Sequence, residues 1–182
     1  ADKSYQLAIG ISEHELGPTH SSHLHVLKKM GLLLEQQGKY AKAEEKFVEV
    51  WKTNERIHAE EDRKTLDSLR SLGNFYARQL KYDQAEGRLR QAAEIYRETY
   101  TTGDPDTLVA IYELGSLFLS QAKFDEAETL FQEVFNSSLI DFGSNHPSTL
   151  QAQSMMAWLF AERAKYSEAT VYYKEAIEGY RE

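Results

Sequence analysis

Residues 80–86 read Leu80-Lys81-Tyr82-Asp83-Gln84-Ala85-Glu86, and the phrase returns in three other places. Gly38-Lys39-Tyr40-Ala41-Lys42-Ala43-Glu44 precedes it. Ala122-Lys123-Phe124-Asp125-Glu126-Ala127-Glu128 and Ala164-Lys165-Tyr166-Ser167-Glu168-Ala169-Thr170 follow it. Each copy stands 42 residues from the next. A fixed period of this size marks a stacked-repeat architecture, in which each unit buries its apolar face on its neighbours.

A second block keeps the same period: Met30-Gly31, Leu72-Gly73, Leu114-Gly115 and Met156-Ala157, followed three residues on by Leu34, Tyr76, Phe118 and Phe160. Behind the alanines come Phe47/Val50, Leu89/Ala92, Phe131/Val134 and Tyr173/Ala176, four and seven residues on. Spacings of three, four and seven place side chains on one helical face. Each unit therefore reads as two helices, A and B, joined at Gln37-Gly38, Gln79-Leu80 and their equivalents. The A helices are expected at about 23–37, 65–79, 107–121 and 149–163, and the B helices to end near 57, 101, 141 and the chain end. Thr65, Thr107 and Thr149 are the expected N-caps, and Pro105 and Pro147 lie where the preceding helix has ended. Glycine in a helix costs about 1 kcal/mol against alanine. Three glycines at one register therefore predict a close approach of helix B, with Ala43, Ala85, Ala127 and Ala169 facing it.

One period earlier, Ala1, Tyr5 and Ala8 match Ala43, Phe47 and Val50, so the chain is expected to open on a B helix and to be a piece of a longer protein. The boundaries that follow are a truncated repeat at 1–16, then repeats at 17–58, 59–100, 101–142 and 143–182, forming a single array.

The pattern resembles the tetratricopeptide repeat. Its 42-residue length, with LGPTHSS, GDPDTL and NHPSTL between the hairpins, resembles the kinesin-light-chain-like subclass, which also follows NTPase modules in NLR-like signalling proteins. The resemblance implies an all-α, right-handed solenoid of antiparallel helix pairs that binds a peptide in a concave groove lined by the A helices. Two departures narrow it. Where kinesin light chains carry paired asparagines, this chain has Lys28-Lys29, Arg70-Ser71, Tyr112-Glu113 and Ser154-Met155. Of the carboxylate clamp of chaperone-binding members, Arg70 and Asn74 fit the first pair, but Glu113, Gln151 and Met155 do not fit the rest.

The chain has no cysteine, a net charge of −8, no apolar run of membrane-spanning length and no signal peptide. These features predict a cytoplasmic chain without affinity for nucleic acid or membrane, and no cofactor is expected. His14-Glu15 fails as a zinc-protease motif because Pro18 stands where the second histidine belongs. His14, His20, His23 and His25 read as a polar interhelical turn with a helix start rather than a metal site, and Glu44-Glu45 and Glu60-Glu61-Asp62 as solvated helix faces or termini. Asn136-Ser137-Ser138 spells a glycosylation sequon on a B helix, where it carries no message. No catalytic constellation stands out, and the chain is expected not to be an enzyme.

The expected groove residues are Lys28, Lys29 and Leu32 in the first repeat, Arg70, Asn74 and Arg78 in the second, Tyr112 and Leu119 in the third, and Met155 and Trp158 in the fourth. The first two repeats are basic and the last two apolar and aromatic, which suits an acidic segment with an aromatic or aliphatic anchor. Two other readings stay open: a sensor or self-associating segment of an NLR-like signalling NTPase, and a repeat-bearing enzyme. The face of the last B helix at Tyr172, Tyr173 and Ile177 predicts end-to-end dimers of the chain.

Overall fold

Each recurrence of the period holds two helices. The computed structural model describes residues 2–181, so Ala1, the expected mate of Ala43, lies outside the described residues. The helices are α1 (Asp2–Leu16), α2 (Ser21–Gln36), α3 (Tyr40–Ile57), α4 (Arg63–Arg78), α5 (Tyr82–Thr99), α6 (Pro105–Ser120), α7 (Phe124–Phe142), α8 (Pro147–Glu162) and α9 (Tyr166–Gly179), with no strand among the described residues. Helices α2, α4, α6 and α8 are the A helices. The odd-numbered ones are of B type, α1 included.

The A helices begin about two residues before the expected places, because the threonines are not their caps. His20 Nδ1 accepts from the Ser22 N–H (3.2 Å) and His146 Nδ1 from the Ser148 N–H (3.2 Å). Asp62 Oδ1 accepts from the Lys64 N–H (2.8 Å), and Asp104 Oδ1 from the N–H groups of Asp106 (3.1 Å) and Thr107 (3.2 Å). Pro105 and Pro147 fall in the first turn, where a missing N–H costs nothing. Thr65, Thr107 and Thr149 lie three residues inside the helices and are buried.

All four A helices end in the same way. Gly38, Leu80, Ala122 and Ala164 take positive φ values of 71°, 56°, 57° and 57°. The next N–H, on Lys39, Lys81, Lys123 or Lys165, reaches back to the carbonyl of Leu34, Tyr76, Phe118 or Phe160 at 2.8–3.0 Å. This is the Schellman closure, and it puts a lysine at the same place in every turn.

The fold divides into two compact units, one ending at Lys81 and the other beginning at Tyr82, so the division falls inside the second repeat. In the first unit α1 packs on α2, α2 on α3 and α3 on α4. In the second each of α5 to α9 packs on its neighbour in sequence, and α6 also meets α8. The first core holds Leu27, Met30, Phe47, Leu69 and Phe75, the second Leu89, Tyr96, Ile111, Leu114 and Phe131.

At Gly31 and Gly115 the small-residue register is a contact with an aromatic ring. A β-carbon on Gly31 would meet the Phe47 ring at 3.2 Å, and one on Gly115 the Phe131 ring at 2.9 Å. The ring sixteen residues downstream, rather than the facing alanine, fills the space. Where Ala157 replaces glycine, the corresponding Tyr173 is 40% exposed.

Candidate functional site

Two recesses occupy the same repeat register, one in each unit. The first, about 170 Å³, lies among α2, α3 and α4, with Leu24 and Val50 as its apolar floor and His25, Lys28, Lys64 and Asp67 around it. The second, about 140 Å³, lies among α6, α7 and α8. Leu108 and Val134 replace the floor residues, and Val109, Tyr112, Ser148 and Gln151 replace the four polar ones. Each replacement is 84 residues along the chain, two full periods. The backbone thus makes one recess twice, and the sequence makes the first charged and the second mostly neutral. Tyr112 is steadied by the Phe131 ring at 5.9 Å.

The expected groove residues divide on this geometry. Lys28 and Tyr112 line the recesses, Leu32, Asn74 and Met155 are half-buried, and Lys29 is exposed. Leu119 is a correction: it is 6% exposed and belongs to the core rather than to an open face. Arg78, with 48% of its side chain exposed, is already paired within the chain. Its Nε and Nη2 both donate to Glu35, each at 2.8 Å, a bidentate pair between α4 and α2. Arg70 Nη1 pairs with Asp67 at 3.0 Å, with only 12% of its side chain exposed. Trp158 is 44% exposed, and its indole N–H donates to Glu162 at 3.1 Å.

The histidines disperse into separate roles: His20 caps α2, His25 lines the first recess, and His14 meets Glu15 at the surface. His23 is buried and 2.9 Å from the Ser12 hydroxyl, which donates to the Ile9 carbonyl, so His23 Nδ1–H is the donor to Ser12. Among the described residues no acidic or histidine cluster gathers to hold a metal ion.

Of the acidic runs, Glu44 is tied into the structure rather than solvated, and Asp62 falls at a helix terminus, one of the two expected places. Glu44 accepts from Lys81 Nζ (2.8 Å) and from the Tyr76 hydroxyl (3.0 Å), and Asp62 caps α4. One period on, Glu86 pairs with Arg90 (2.7 Å) and Lys123 (3.0 Å). The lysine holds the Glu44 carboxyl below its ordinary value, with Tyr76 adding to it, and Arg90 and Lys123 do the same for Glu86. The signal for these pairs stood in the repeat itself, as the period carries Glu44, Glu86 and Glu128 beside Lys39, Lys81, Lys123 and Lys165.

Two family models of the tetratricopeptide repeat match the chain, over residues 64–140 and 149–182, together more than half its length. The chain belongs to the tetratricopeptide repeat family. This TPR chain is similar in structure to a putative kinesin light chain from Podosopora anserina with nearly identical TPR-like repeats (20% identity, 98% of this chain and 84% of that one, TM-score 0.82). It is also similar to BtubC (BKLC) from P. vanneervenii (16% identity, 98% and 70%, TM-score 0.81). A third neighbour is aspartyl phosphate phosphatase F from Bacillus subtilis (15% identity, 97% and 45%, TM-score 0.75). At these identities the likeness is one of fold, and it bears out the expected all-α TPR solenoid. No curated protein matches the sequence. Among the described residues no helix of the TPR chain is long and apolar enough to cross a membrane.

Proposed function

We propose that this chain is a protein-interaction scaffold whose A-helix faces hold an acidic segment bearing an aliphatic or aromatic anchor. The observation that carries the reading is the duplicated recess with its changed chemistry. Lys28 and Lys64 bring two positive charges to the first copy against the single carboxylate of Asp67, in a chain whose net charge is −8. Val109, Tyr112 and Val134 give the second copy an apolar wall that fits a side-chain anchor, and a tyrosine is a frequent centre of binding energy.

Within this reading Arg70 and Arg78 shape the surface by holding Asp67 and Glu35 in place. Each unit offers its own ligand contacts: Lys28, Lys29 and Lys64 in the first, and Tyr112, Met155 and Trp158 in the second. The test is calorimetric titration with an acidic peptide carrying one leucine anchor. Lys28→Glu is expected to weaken binding in a salt-sensitive way, and Tyr112→Ala to weaken it at all salt concentrations. Unchanged affinity in both variants rejects the reading.

A further inference from the structure

A third recess, about 220 Å³, lies in the first unit on a different face. Ile9, Met30 and Leu34 form its floor, and Lys39, Lys42 and Lys46 stand at its rim with Glu45. Its origin can be read by comparison with the other repeats. At the register of Leu34 they carry Tyr76, Phe118 and Phe160, each roofed by the lysine of the same turn. Lys81 Nζ is 5.4 Å from the centre of the Tyr76 ring, Lys123 is 5.2 Å from that of Phe118, and Lys165 is 5.5 Å from that of Phe160. The first repeat keeps the lysine, Lys39, and the same Schellman turn, but has an aliphatic residue where the ring belongs. The rim differs as well: the register of Lys42 holds Gln84, Glu126 and Glu168 elsewhere.

We propose that this recess receives an aromatic side chain from an acidic segment of another protein. The partner's ring takes the place that Tyr76, Phe118 and Phe160 fill from within their own repeats, beneath the ammonium groups of the rim. Cavities of about 150 Å³ lined by apolar side chains accept benzene, so the volume suits one ring. Lys39, Lys42 and Lys46, against Glu45 and the Glu49 beside Lys46, leave the rim net positive, which selects a ligand with carboxylates beside that ring, since an ammonium over an aromatic face and an ammonium near a carboxylate are both attractive. Lys46 also pairs with Glu49 at 2.7 Å, which holds its side chain along the rim.

The test is fluorescence anisotropy with a labelled acidic hexapeptide carrying one central phenylalanine, beside the same peptide with alanine in its place and vesicles of anionic phospholipid. Leu34→Phe supplies the ring that the third repeat has, and Lys42→Gln copies the second repeat. Filling the slot is expected to weaken the phenylalanine peptide about tenfold, and Lys42→Gln about threefold with a flatter salt dependence. The alanine peptide is expected to bind the parent chain about tenfold more weakly than the phenylalanine peptide. Thermal unfolding of Leu34→Phe should be at or above that of the parent; a lower midpoint means the slot does not accept a ring and overturns the proposal. Unchanged peptide binding in Leu34→Phe overturns it too, as does binding of vesicles in preference to the peptide. Tyr112→Ala is expected to leave this component of binding intact, which separates its failure from that of the A-helix reading.

Discussion

A carbon of the Phe131 ring lies 2.9 Å from the point where a β-carbon on Gly115 would stand, and Leu130 Cβ is 3.3 Å from the same point. Helix α7 therefore rests on the bare backbone of α6, and glycine is required there by a neighbour, not by local conformation.

Gly115→Ala is expected to destabilise the chain. Overpacking costs about 1–3 kcal/mol, against about 1 kcal/mol gained from alanine's helix propensity. A net loss near 1 kcal/mol should show in urea unfolding. Gly31→Ala, with the Phe47 ring at 3.2 Å, should lie closer to neutral. A Gly115→Ala chain as stable as the parent would remove the close approach as the reason for the glycine.

Ala122→Gly is expected to stabilise. The position sits at φ 57°, where a β-carbon costs about 1–2 kcal/mol. Added freedom of the unfolded chain returns about 0.4–1 kcal/mol of that. A gain of a few tenths to 1 kcal/mol should raise the thermal midpoint, and Ala164→Gly should behave alike.

The N-terminus of α6 separates two accounts of its cap. Asp104→Ala should cost about 1 kcal/mol, and Asp104→Ser should recover most of it. The Thr107 hydroxyl is buried and finds no hydrogen-bond partner among the described residues, so Thr107→Val should be neutral or stabilising. A loss of about 1 kcal/mol in Thr107→Val would restore the threonine as cap.

Acid should loosen the pairing of Glu44 and Glu86. Both carboxyls titrate below their ordinary value of 4.5 in the folded chain. As pH falls through the carboxylate range the unfolded chain takes up protons first. The stabilisation is complete above that range and is lost as pH falls through the lowered folded values. Unfolding midpoints measured by circular dichroism between neutral pH and pH 3 should fall less steeply in Lys81→Gln than in the parent. Equal slopes would show that the Glu44 pair contributes nothing.

Most of the fold was legible before any coordinates. The heptad-like spacings behind Ala43 and Ala127 and the recurring Gly31 and Gly115 are local facts, and they placed the hairpins within a few residues. The caps were misread because threonine and aspartate are both good caps, and only the φ and ψ of Asp62 and Asp104 show which is outside the helix. The candidate site was legible only as a face. Lys28 and Tyr112 emerged at equivalent recesses, but Leu119, one turn further along α6 than Ser116, is buried.

The period, the order of helices and the identity of the buried stripe were determined by sequence alone, since each follows from spacing within a single helix or a single repeat. Which charges remain open to a partner was decided by tertiary structure. Glu35 reaches Arg78 across 43 residues, and Glu44 reaches Lys81 across 37. Such pairs depend on the angle and distance at which one hairpin meets the next, and those come from the packing of Phe47 and Phe75 in the core, which no local pattern encodes.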